Sequence, residues 1–175
     1  MQMTIWRRTC ALIGALARSI GLGHAHGGQS AKQNAGLQSA EEAKASRSLE
    51  YMSEIARVVA QGEDLQELAW DEVIIVFGFD EDGSVNETYG YAYEQGGPSH
   101  PFALRPRYVR PAVDAYREWL RLERDKGMIK MLFQFNRRSL KVQADFEYDD
   151  PSRWKVTPNN IDTIVEELRP RLGDP

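Results

Sequence analysis

Near the C-terminus, residues 145–160 read DFEYDDPSRWKVTPNN, and no other stretch limits the fold as tightly. An acidic strand end runs into Asp149-Asp150, and Pro151 stops it, because proline cannot donate to a strand ladder. Trp154 is a side chain of the buried type. Thr157 then reads as a helix N-cap with Pro158 at the first helical position. The stretch holds no nucleophile motif, metal cage or phosphate loop. Its physics is that of fold and surface charge, which favours a binding role over an enzymatic one.

The elements before it follow from periodicity and turn chemistry. Ser39 and Glu42 form a capping-box pattern, opening a helix with Leu49, Met52, Ile55 and Val59 on one stripe and Gly62 at its end. Residues 70–79 are β-branched and aromatic in an almost continuous apolar run, which predicts a strand. Asp80-Glu-Asp-Gly83 turns the chain. Its resemblance to a calcium loop fails, since the glycine comes too early and no closing Glu follows.

Residues 85–93 alternate, with Val85, Glu87, Tyr89, Tyr91 and Tyr93 on one face. The tyrosines either cover the sheet or form a recognition surface. Residues 96–111 carry Pro98, Pro101, Pro106 and Pro111 and predict a loop, with His100 at its surface. Pro111 starts a second helix to Gly127, with Val113, Tyr116 and Leu120 inward. Arg117, Arg121 and Arg124 alternate with Glu118, Glu123 and Asp125 on a solvated face.

Strand 128–135 points Ile129, Met131, Phe133 and Phe135 inward. After a turn at 136–139, strand 140–148 points Leu140, Val142, Ala144, Phe146 and Tyr148 inward and Lys141, Gln143, Asp145 and Glu147 outward. The last helix buries Ile161, Ile164, Val165 and Leu168 and ends at Pro170. The expected fold class is α+β: an antiparallel four-stranded sheet from two hairpins, in the order α-β-β-α-β-β-α, with helices packed on the sheet.

Charge separates two regions. Residues 1–40 hold Arg7, Arg8, Arg18 and Lys32 and no acid; removing those four bases from 22 Lys and Arg leaves 18 against 26 Asp and Glu, so residues 41–175 carry −8. Residues 1–38 are read as a basic, acid-free N-terminal extension and residues 39–175 as one α+β domain. Nucleic-acid phosphates would repel that acidic body, whereas a basic protein surface would attract it.

Within residues 1–22, Ile5, Trp6, Cys10, Leu12, Ile13, Leu16 and Ile20 share one helical side, with the arginines opposite. A signal peptide, an interfacial helix and a plain extension or mistaken start all fit. The apolar run is too short for the ~20 residues of a membrane span. The expected location is cytoplasmic, with membrane association or export through this segment as the alternative. Cys10 is the single cysteine, which excludes an intramolecular disulfide and a cysteine-based zinc site. His24 and His26 have no carboxylate nearby to complete a metal site.

The motifs WDEV at 70–73, GFDEDG at 78–83 and, above all, residues 145–160 resemble the YezG-like immunity proteins, over roughly residues 49–172. These are small α+β bacterial proteins that neutralise the toxin domain of polymorphic toxin systems. The resemblance implies an antitoxin that binds a cognate toxin, often a nuclease, by direct contact, with no catalytic residues and no cofactor or metal. Asp145, Glu147, Asp149, Asp150 and Arg153 are the candidate partner-binding residues. The match at Asp145, Tyr148, Asp149, Arg153 and Trp154 fits family scaffolding as well as toxin contact.

The partner expected is a basic protein toxin, with no nucleic acid, and with weak membrane-surface contact through residues 1–22 left open. The alternatives are an exported or membrane-peripheral envelope protein and a carboxylate-based hydrolase. No H-E-x-x-H, G-x-S-x-G, Walker A or G-x-G-x-x-G pattern supports an enzyme.

Overall fold

A computed structural model describes residues 28–172 except Arg124, with side chains described from Gly36 onward. The readings of residues 1–22, Cys10, His24, His26 and Arg124 lie outside the described residues. In chain order the elements are α1 (Gly28–Ala60), α2 (Glu63–Gln66), β1 (Glu72–Phe79), β2 (Val85–Tyr93), β3 (Ser99–Phe102), α3 (Pro106–Leu122), β4 (Lys130–Asn136), β5 (Val142–Glu147) and α4 (Ile161–Glu167).

The apolar run of β1 determines the layering. A strand with few polar positions must be covered on both faces. Val73, Ile75 and Phe77 enter one core and Ile74 and Val76 the other, all fully buried. β1 accordingly sits at the centre of a five-stranded antiparallel sheet of order β3-β2-β1-β4-β5.

On the first face lie α1 and α3, through Met52, Ile55, Val59, Val109, Val113 and Tyr116. Tyr51, Tyr116 and Trp119 stack between these helices, and the buried Ser48 and Tyr116 hydroxyls share a 2.9 Å hydrogen bond. On the second face Trp154, Val156, Ile164, Val165 and Leu168 cover Ile74, Val76, Leu132 and the tyrosines of β2.

The α+β class and the antiparallel sheet agree with the sequence; several details differ. The expected four strands are five. The additional strand, β3, arises inside the proline-rich 96–111 segment, where Gly96 (φ 68°) and a bond from the Gly97 N–H to the Glu94 carbonyl reverse the chain. Ser99–Phe102 then pairs with 90–93. Pro101 is tolerated because β3 is an edge strand.

Helix starts also shift. α1 runs continuously through residues 38 and 39, so Ser39 caps nothing; its hydroxyl donates to the Gly36 carbonyl at 2.9 Å, the alternative use of a helical serine. α3 begins with Pro106 at N1 rather than at Pro111, which lies inside the helix, and it ends at Leu122, short of Gly127. α4 begins at Ile161, not after Thr157. The Asn160 carboxamide instead accepts from the Thr157 N–H at 2.7 Å and the Thr157 hydroxyl at 2.9 Å, stabilising a turn before the helix.

Inward positions move where a strand is irregular. The β1–β2 register shifts between Gly78↔Glu87 and Phe79↔Val85, which leaves Asn86 as an extra residue. Val85 therefore belongs to the first core and not to the tyrosine face. Met128, rather than Ile129, fills the first core. Leu140 is turn rather than strand, with φ 55° and 72% exposure.

Candidate partner-binding surface

Five residues of the 145–154 segment were candidates, and the fold gives them different surroundings. β5 places Ala144 and Phe146 against the first core, and its alternate residues on the second face. There Asp145 lies opposite Leu132 and accepts from the Gln134 and Gln143 amides, both at 3.1 Å. Glu147 lies opposite Lys130, and both are buried, at 7% and 8% exposure. The outward, solvated position expected for Glu147 is thus corrected. The cause is the chain after Pro151, which folds back over this end of the second face.

Glu147 organises that return. Its Oε1 accepts the N–H groups of Tyr148 (2.9 Å), Asp149 (2.9 Å) and Asp150 (3.0 Å), and its Oε2 accepts Arg153 Nη1 at 2.9 Å. Burial pushes the Glu147 carboxyl up, yet the donors from Asp149, Asp150, Arg153 and Tyr148 prevail and hold it at about 2.

Trp154 adopts a left-handed backbone, φ 59°, uncommon for a bulky residue. Three tethers hold it there: Lys130 Nζ donates to the Arg153 carbonyl, the Tyr89 hydroxyl donates to the Trp154 carbonyl, both at 3.2 Å, and the Arg153 guanidinium lies 4.8 Å over the indole. Arg153 is therefore an internal strut as well as a half-buried surface group.

Asp149 and Asp150 remain exposed. The Ser152 hydroxyl and N–H, donating at 2.6 and 2.8 Å, hold the Asp150 carboxyl below its usual range and close a local turn. The antiparallel register brings further acids to the same end of the sheet. Gly78 pairs with Lys130 and Glu87, and Lys130 pairs with Glu147, so the β1–β2 hairpin and the turn after β5 adjoin one end. Asp80, Glu81, Asp82 and Glu87 are all exposed there. In the sequence, 80–83 predicts only a turn; the one available signal is that both the β1–β2 turn and the segment after β5 carry acid runs.

The tyrosine row of β2 covers the sheet. The Tyr93 hydroxyl donates to the Val165 carbonyl at 2.7 Å, and the C-terminal segment packs over all three rings. Burial, aided by Glu87 and Tyr91, pushes the Tyr89 hydroxyl up to about 12. His100 lies 3.5 Å from Glu94 on the edge strand. Among the described residues no three His, Cys, Asp or Glu side chains gather as metal ligands, and no helix is long and apolar enough to cross a membrane.

Neither a protein-family model nor a curated protein matches this chain.

Proposed function

We propose that this chain is an immunity-type antitoxin: it binds a basic toxin domain by direct protein–protein contact and blocks it, acting in the cytoplasm. The observation that carries this reading is the gathering of exposed Glu81, Asp82, Glu87 and Asp149 at one end of the sheet, in a body of charge −8. Such a surface speeds encounter with a positively charged partner and repels phosphate backbones. Toxin nucleases bind nucleic acid through basic clefts, the surface that a negative inhibitor can cover. The likeness of residues 145–160 to YezG-like immunity proteins supports the same class.

The carboxylates nearest to a two-acid hydrolytic arrangement are otherwise engaged. Glu147 is buried under four donors and Asp145 bridges two glutamine amides. Acid–base work requires a carboxyl within reach of substrate and titrating near the operating pH. Glu147 meets neither condition.

The test begins with the neighbouring genes. A large protein ending in a basic domain should be captured by the tagged chain and lose its toxicity on co-expression. Neighbours without a toxin-like protein, together with a tagged chain that pulls down no partner, would sink the proposal.

A further inference from the structure

At the other end of the sheet, where β1 begins and β2 and β4 end, lies a half-enclosed cavity of about 330 Å³. Tyr93 lies on its sheet side, flanked by Glu72 and Glu94; Arg138 comes from the turn after β4, and Arg169 and Arg171 from the segment after α4. Glu72 stands directly opposite Tyr93 on one side and Asn136 on the other, so it is central in the sheet end. The Arg169 guanidinium lies 4.5 Å over the Tyr93 ring.

Some of these charges are already paired. Asp71 Oδ1 accepts from Arg138 Nε at 2.8 Å, and its Oδ2 accepts the Gln95 N–H at 2.9 Å. Glu166 binds Arg169 through two contacts of 2.8 Å. Glu72 accepts from the buried Asn136 carboxamide at 2.9 Å, which orients its carboxylate. Arg171 makes no ion pair among the described residues. The cavity therefore presents carboxylates on the strand side and a guanidinium on the C-terminal side.

A cation alone would meet the arginines and an anion alone the acids. A molecule with both signs separated by a few ångströms satisfies both walls, and the volume lies at the small end of the ~300–1,000 Å³ range of ligand pockets. Apart from Tyr93, Gly96 and Pro170 the lining residues carry charged or amide groups. With their aliphatic stems and the Tyr93 ring they expose somewhat more apolar than polar surface, so the charged walls fix the two ends of the ligand and leave its side chain open.

We infer that this cavity binds a free α-amino acid, its ammonium toward Glu72 and Glu94 and its carboxylate toward Arg171 and the outer nitrogens of Arg138. The site is at the opposite end of the sheet from the acidic partner surface. Its occupation ties the C-terminal segment to the strand ends.

The test is thermal unfolding of the full chain with each of the twenty L-amino acids, using equal sodium chloride as the control. The best ligand is then compared with its N-acetyl and C-amide forms. At about a hundredfold excess over Kd, Tm should rise on the order of 5–10 °C. Blocking either end of the ligand should remove that rise, as should Glu72→Gln, which keeps an acceptor for Asn136, or the exposed Arg171→Ala. If no amino acid shifts Tm beyond salt, if the blocked forms protect equally, or if both variants respond like the parent chain, the inference is wrong. Toxin capture by the same preparations is read separately, so failure here leaves the antitoxin reading standing.

Discussion

A buried carboxylate survives only with donors, and Glu147 has three backbone N–H groups and a guanidinium. Its folded pKa of about 2 is below the ordinary glutamate value, so its charge adds stability above pH ~4.5. That contribution, on the order of 3 kcal/mol, disappears as pH falls from there toward 2. Glu147→Gln should lose about 2–4 kcal/mol at pH 7 in urea unfolding, and the gap to the parent should close near pH 2. A gap that stays constant with pH would deny the charge any role. Leu140 presents the opposite case, a left-handed backbone with a 72% exposed side chain. Asparagine tolerates that conformation and no burial is lost, so Leu140→Asn should raise stability by roughly 0.5–1 kcal/mol. A lower midpoint in the same denaturation would refute the strain argument.

Among the elements, the C-terminal segment has the most to lose from small changes. α4 is seven residues long, too short to hold itself in water, and it docks through Ile164, Leu168 and the hydroxyl of Tyr93 in β2. Tyr93→Phe removes the 2.7 Å bond to the Val165 carbonyl and leaves that partly buried oxygen without this donor. The expected cost is about 1–2 kcal/mol. Hydrogen exchange should accelerate over 161–168 while the amides of β1 and β4 stay protected. Equal acceleration throughout would mean that this layer and the sheet open as one unit. Parts of this layer could be read in the chain: Ile164, Val165 and Leu168 pack on the sheet as their spacing predicts, and Trp154 follows from its type, but Ile161, expected inward, is the first residue of α4 and is 50% exposed. The cap could not be read, because Thr157 and Asn160 both suit a helix start, and only the packed turn shows which one accepts the bonds.

For the molecule as a whole, charge is the property on which the proposed function rests. Glu81, Asp82 and Asp149 are exposed, and no hydrogen bond or ion pair of the fold is described for their side chains, unlike Asp80 and Asp150, which close their own turns. Reversing Glu81, Asp82 and Asp149 to lysine should leave Tm nearly unchanged. Association with a basic toxin domain should slow by roughly tenfold or more at low salt, and the difference should shrink as salt rises. Stopped-flow association rates at two ionic strengths would measure it. Unchanged rates would place the contact elsewhere.

The chain by itself determined the central strands, most of the inward stripes of the long helices (Met52, Ile55 and Val59 are buried, but Leu49, expected beside them, is 43% exposed), the acid excess of the body and the α+β class. Each of these depends on residues a few positions apart, through the periods of strand and helix or the sum of charges. Tertiary structure decided the rest. β3 exists because an edge position tolerates Pro101, Val85 changed faces because of one extra residue opposite β1, and Glu147 went inside because the chain folded back over it. The placement of hairpin 80–82 and turn 149–150 at the same end of the sheet follows from the pairings of β1 with β4 and of β4 with β5. Those pairings join residues far apart in the chain and leave no local pattern from which to read them. The segment 145–160 could be read as strand, stop and connection, but which of its acids face water was settled only by what packs against them.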